Sequence, residues 1–332
     1  MRSNTLLLLA LVVFSMLLLS PVNAQEYFNS TWDTANWGST NDDQIKLPLT
    51  SAGTYNFTVA WGDGNTTNIT QWNQSEVIHT YNSSGTYNVS INGTIEGFRF
   101  NNAGDPEKLL EITSWGPLNL GNNGSYFYGC NYMTITADDT LNLTGTTNLS
   151  RTFQGVWDFN RDISNWDVSN VTGMSHMFEG ADAFNQDISG WDVSNVTDMS
   201  HMFHDADSFN QDISGWNVSK VTNMSHMFDG ADAFDQDISG WDVSNVTDMN
   251  YMFDNADIFN QDISSWNVSN VNDMSHMFSN ADLFNQDISN WDVSNVTDMA
   301  NMFASSDSFN QDISNWNVSG VTNMNHMFSY AY

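Results

Sequence analysis

The chain is 332 residues long and carries 39 Asp and Glu against seven Lys and Arg, a formal net charge of −32. Twenty-seven of those acids follow Phe153, where Arg161 and Lys220 are the only basic residues; such a surface repels phosphate, which argues against nucleic acid as a partner. The single cysteine, Cys130, rules out an internal disulfide framework, so core packing must hold the fold.

Residues 1–24 read as a cleavable secretory signal. Arg2 supplies the positive start, Leu6 to Leu19 an apolar run of fourteen, and Pro21 to Ala24 a small-residue site with cleavage after Ala24. That run is short for a membrane span, and no later segment is apolar enough to be a transmembrane one. The mature chain is therefore expected to be secreted or held at the cell surface.

Residues 25–105 are expected to form a small β-sandwich. In "GTYNFTVAWGDGNTTNITQW" the apolar side chains of Tyr55, Phe57, Val59 and Trp61 alternate with polar ones, as a half-buried strand requires. Gly62-Asp63-Gly64-Asn65 is a turn signal, because these residue types accept positive φ or bond their own backbone. "EVIHTYNSSGTYNVSING" predicts a second strand pair. The WGDG turn followed by "HTY" and "GTYNVSI" resembles the PKD-like module of surface proteins, which implies a spacer or binding platform. His79 has no second His or thiolate near it in sequence and reads as structural.

Residues 106–158 read as degenerate capping repeats. "EITSWG" places Ile112 and Trp115 as Ile163 and Trp166 are placed, 51 residues later, and "FYGC" at Phe127 aligns with "FEGA" at Phe178. Cys130 then occupies the position of Ala181, Ala206 and Ala231, as a small core residue would.

Residues 159–332 repeat with a period of 25, marked by Trp166, Trp191, Trp216, Trp241, Trp266, Trp291 and Trp316. A fixed period of this length predicts a repeat solenoid in which each coil buries its apolar face against its neighbours. Trp191-Asp-Val193 alternates like a short strand, while Val196, Met199, Met202 and Phe203 fall at steps of three and four, one face of a short helix opened by Thr197-Asp198. The expected fold class is thus leucine-rich-repeat-like, a short strand plus a short helical arc per coil, with the Trp ladder inside. The units resemble those of BspA-like leucine-rich-repeat surface proteins, and the "FNQDISxWDVSNVTDMSxMF" wording resembles repeats of mycoplasma surface lipoproteins. That resemblance implies a surface location and adhesion or protein recognition, and it brings no catalytic residues with it.

Three acidic rows follow from the period. Between buried Trp and Val one side chain must face outwards, and down the stack it reads Asp167, Asp192, Asn217, Asp242, Asn267, Asp292 and Asn317. Coils about 4.8 Å apart would set bare carboxylates against each other at roughly 1 kcal/mol per pair, which the interleaved Asn relieves. This strip is the candidate face for an extracellular protein or glycan partner, or for the cell envelope. Asn217, Asn267 and Asn317 belong to three of nineteen Asn-x-Ser/Thr sequons, and glycans there would cover it. The second row, Asp187, Asp212, Asp237, Asp262 and Asp287, begins one unit earlier at Asp162 and ends at Asp312. It is expected to cap turns through backbone N–H groups, with Ca²⁺ as the alternative ligand. The third is Asp182, Asp207, Asp232, Asp257, Asp282 and Asp307.

His176, His201, His226, His276 and His326 also stack, as a transition-metal site would, but they lie next to Met, and Tyr251 and Asn301 interrupt the row, so they read as exposed polar positions. Candidate acids that repeat identically do not make the few differently tuned groups a catalytic site needs, so no enzyme is expected. The leading expectation is an exported, non-enzymatic recognition or adhesion protein. The alternative is a structural envelope or matrix protein stabilised by Ca²⁺. The chain stops within a unit at "HMFSYAY", which implies either an apolar edge covered by another molecule or a fragment.

Overall fold

The computed structural model describes residues 26–331; the expected signal segment lies outside them. Among the described residues nine strands occur, all before residue 136, and the only helical turns are single 3-10 turns at Ser75–Val77 and Pro106–Lys108. β1 (Phe28–Asp33), β2 (Gln44–Lys46), β3 (Leu49–Ala60), β4 (Thr66–Ile69), β5 (Ile78–Thr80) and β6 (Thr86–Phe98) fill the N-terminal part. β7 (Leu109–Ser114), β8 (Leu118–Asn119) and β9 (Thr134–Ile135) lead into the repeats.

The alternation read from the sequence is realised in β3, where Tyr55, Phe57 and Val59 are buried and Asn56 and Thr58 exposed. β3 returns as β4 through the WGDG turn, closed by the Trp61 N–H donating to the Asn65 carbonyl at 3.1 Å. Gly62 is required there: its φ is +83°, and a Cβ would lie 2.5 Å from the Asn88 carbonyl oxygen. The expected sandwich needs correcting. The strands form one mixed sheet in the order β4-β3-β6-β1-β7-β9, with β8 parallel to β6, beside a two-stranded sheet of β2 and β5. The reason is edge pairing. β1 would otherwise present an open edge, and β7, from beyond residue 105, pairs antiparallel with it while burying Leu109 and Ile112.

From residue 136 on, the described chain holds turns and single bridges only, one per coil: Gly173 to Asp198, Asp198 to Asn223, Asn223 to Asp248 and onwards to Asn323. The leucine-rich-repeat solenoid of strand plus helical arc is therefore overturned. Trp191-Asp-Val193 is not a strand, and the bridged residue, Asp198, lies where the helix was expected to begin. Alternate peptide groups explain why no helix forms. The N–H groups of Met174, His176, Phe178 and Gly180 donate to Asp198, Ser200, Met202 and His204 of the next coil at 2.8–3.1 Å. Those of Met177, Glu179 and Ala181 close turns on the carbonyls three residues back at 3.0–3.4 Å. An α-helix needs all of these donors within its own segment, four residues apart. The steps of three and four arise because each such turn brings the chain back to the same side.

Two left-handed residues per coil complete the arrangement. His176 has φ +57° and Gly180 φ +63°. One coil after another, the first position is His201, His226, Tyr251, His276, Asn301 and His326, and the second Asp205, Gly230, Asn255, Asn280, Ser305 and Tyr330, all at positive φ. Left-handed backbone costs an ordinary side chain roughly 1–2 kcal/mol and a β-branched one most, whereas Gly and Asn adopt it readily. Ser305→Val is accordingly expected to lower the free energy of unfolding by about 1–2 kcal/mol and Ser305→Asn to leave it unchanged in urea titrations.

The interior is built of continuous rows. Phe178, Phe203, Phe228, Phe253, Phe278 and Phe303 stack with ring centroids 5.7 Å apart at every step. Phe127 and Phe153, 5.9 Å apart, begin that row in the irregular coils, where Cys130 is fully buried. The tryptophans from Trp166 to Trp291 are 3–4 % exposed. From Trp191 on, each indole bonds back across the stack: Trp191 Nε1 donates to the Ile163 carbonyl, Trp216 to Ile188 and Trp241 to Ile213, all at 3.2 Å.

Candidate functional site

The outward strip is present. Asp167, Asp192, Asn217, Asp242, Asn267, Asp292 and Asn317 are all exposed, each following a buried Trp. Each accepts, through Oδ1, the N–H of the Ser two residues on at 3.1–3.3 Å. The Ser hydroxyl first and the N–H second hold Asp167, Asp192, Asp242 and Asp292 below the usual carboxylate range. Asn and Asp close this turn equally well, so the row tolerates loss of charge without loss of shape.

Asp187, Asp212, Asp237, Asp262 and Asp287 use Oδ1 in the same way, on Ser N–H groups at 2.9–3.0 Å. They too are held low by those serines. Among the described residues no three of these carboxylates bring oxygens within 4.8 Å of one another. The third row differs. Asp182, Asp207, Asp232, Asp257 and Asp282 lack such a serine and are pushed up, by partial burial first and neighbouring aspartates second.

Except for exposed His326, the stacked histidines do not stand as free surface groups. His176, His201, His226, Tyr251 and His276 are half-buried, and their rings lie parallel at 4.1–4.4 Å between centroids. Three residues after each comes a position where the repeats cease to be identical: Glu179, His204, Asp229, Asp254, Ser279 and Ala304. The turn folds that residue back against the ring. Glu179 accepts from His176 Nδ1, and Asp229 Oδ2 lies 2.9 Å from His226 Nδ1. His204 Nε2 lies 3.5 Å from both Asp205 and Asp229. The Nδ1 atoms of His201 and His204 are buried without a partner. Burial, then the adjoining imidazoles, pushes His201 down to about 4.

Sequence reasoning reached the histidine row but missed its partners three residues on, because it compared conserved positions of the repeat. The signal was the variable one, which alone carries Glu, His and Asp by turns. Buried Asp254 is pushed up to about 6, by desolvation first and Asp229 second. A carboxyl raised in the folded state binds its proton more tightly there than in the unfolded chain. Stability from this group therefore falls as pH rises through roughly 4 to 6 and stays reduced above. Asp254→Asn is expected to raise the melting temperature at pH 7.5 and to change it little at pH 4, which a pair of thermal melts checks.

In the N-terminal part His79 is packed into the fold. It stacks on Trp61 with centroids 4.6 Å apart and meets Asp63 Oδ2 at 2.9 Å. Burial works to raise Asp63, but the bonds from His79 and Asn65 outweigh it and hold the carboxyl low.

The sequence profile of the family described as "Mycoplasma protein of unknown function, DUF285" matches residues 147–264 and 253–332, more than half of the chain, and the protein belongs to that family. Comparison with curated proteins and with solved structures gave no match. Among the described residues no helix is long and apolar enough to cross a membrane.

Proposed function

We propose that this is a non-enzymatic recognition or adhesion protein that acts outside the cell or at its surface, and that it holds an extracellular protein or glycan against the strip from Asp167 to Asn317. The observation that carries the reading is the strip itself. Seven outward groups, four carboxylates and three amides that all present an Oδ1 acceptor, repeat along the stack, and each side chain is fixed by its own Ser N–H before any partner arrives. Such preorganisation lowers the ordering cost of binding. The resemblance to BspA-like and mycoplasma surface repeats, the PKD-like turn and the signal-like start at residues 1–24 support the location.

Joint replacement Asp192→Asn and Asp242→Asn keeps both turns, since Asn217 and Asn267 already close the same turn. It should weaken saturable binding of the labelled protein to immobilised extracellular-matrix glycoproteins by about three- to tenfold, the effect of two exposed charges. Unchanged binding would remove the strip from consideration.

A further inference from the structure

We propose that the coils around His176, Glu179 and His201 form a binding site for one divalent transition-metal ion, of the Zn²⁺ class, with these three side chains as its protein ligands. Among the described residues this is the one group of three whose ligand atoms all lie within 4.8 Å of one another. Two imidazoles and one carboxylate suit a borderline ion such as Zn²⁺ and are a poor set for Ca²⁺, which takes six or more oxygens.

The placement is built by the backbone. His176 and His201 occupy the same left-handed position one coil apart, which stacks their rings at 4.3 Å. The turn that follows returns Glu179 to His176 Nδ1. His201 Nδ1 is buried with no partner, a donor or acceptor position that nothing in the protein uses. Metal bonds of about 2.0–2.1 Å require ligand atoms roughly 3.2–3.5 Å apart and lie in the plane of each imidazole, so the His201 ring, parallel to that of His176, must turn to aim its nitrogen at an ion shared with His176 and Glu179. His204 and Asp205 sit next to the group and supply a further imidazole and a negative charge.

The site is local to these coils. On one side Arg151 stands at the position of His176, with its guanidinium 3.5 Å from the His176 ring. Farther along the stack Ser279 and Ala304 stand at the position of Glu179. The stacking of the fold alone does not require the His-and-acid combination, because coils without it pack identically.

The same comparison supplies variants that fold. His201→Asn places at 201 the residue the chain uses at 301, and Glu179→Ser the residue it uses at 279. Titration of the purified protein with Zn²⁺ by calorimetry should show one site per chain, and Co²⁺ should give the visible absorption of a low-coordinate nitrogen–oxygen site. Each variant should weaken Zn²⁺ binding at least about tenfold, as loss of one of three ligands does, while His326→Asn should leave it unchanged. Absence of saturable one-to-one uptake by the unaltered protein, or equal uptake by His201→Asn with its fold intact by circular dichroism, would overturn the assignment.

Discussion

Trp241→Ala should lower the free energy of unfolding by about 3–5 kcal/mol, the range for truncating a buried aromatic side chain. Trp241 is 3 % exposed in the middle of the stack, packs against Phe228 and donates its indole N–H to the Ile213 carbonyl. The substitution removes the ring, leaves a cavity between two coils and takes away one of the two bonds that carbonyl accepts, the other coming from the Trp216 N–H at 3.1 Å. Because each coil is stabilised only by its neighbours, damage in the middle should also divide the cooperative unit, which lowers the urea m-value as well as the midpoint. Trp241→Phe keeps most of the apolar area and loses only the donor, so about 1–2 kcal/mol is expected. The measurement is urea unfolding followed by far-ultraviolet circular dichroism. If Trp241→Ala falls within about 1 kcal/mol of the unaltered protein, the tryptophan row does not hold the stack together.

Burial was legible in the sequence to a greater depth than backbone conformation. The residues at Ile188, Trp191, Val193, Val196, Met199, Met202, Phe203, Ala206 and Phe209 are all buried, because a period of 25 with fixed apolar positions leaves one face inward whatever path the backbone takes. The path itself was misread. Steps of three and four mark a helix when each N–H bonds within its segment, yet they also mark a succession of tight turns, and only the hydrogen-bond partner distinguishes the two. That partner lies in the next coil and leaves no mark in a single unit. A trace does exist in the second left-handed position, where Gly180, Asp205, Gly230, Asn255 and Asn280 are the residue types that accept positive φ.

The candidate site divides in the same way. The Asp167-to-Asn317 strip was readable because it depends on alternation between buried neighbours, and the serine two residues after each member announces the turn that fixes it. The His176 cluster was not, because it joins a conserved position to a variable one through a turn conformation that the helical reading would have arranged differently. The two-stranded sheet and the reach of β7 to β1 also lay beyond reading, since both pair segments far apart in the chain.

Asp105→Ala should cost about 3–6 kcal/mol, the largest expected loss in the N-terminal part of the fold. Asp105 is fully buried and gathers the loop that precedes β2. Its Oδ1 accepts the N–H groups of Ser39 and Thr40 at 2.8 and 3.1 Å, and its Oδ2 accepts the Lys46 N–H at 2.8 Å and the Thr40 hydroxyl at 2.7 Å. Gly38 makes room for this approach, since a Cβ there would lie 2.6 Å from Asp105 Oδ1. The same loop cages the fully buried Lys108, whose ammonium donates to the Thr40 hydroxyl at 3.0 Å and to the Asn41 and Gln44 carbonyls at 2.8 and 3.0 Å. Removing the carboxylate strands the Thr40 and Lys46 N–H groups at about 1–3 kcal/mol each, partly relieved by water that enters, while Ser39 keeps the Gly104 carbonyl at 2.8 Å, and it leaves the Lys108 charge without its nearby acid. Asp105→Asn keeps the Oδ1 bonds and gives up those of Oδ2, so about half the loss is expected. Urea unfolding gives the energies, and hydrogen exchange gives the location: the amides of Thr40 and Lys46 should lose protection in Asp105→Ala while those of β3 and β6 keep theirs. If those two amides stay protected and stability is unchanged, the loop is held by something other than Asp105.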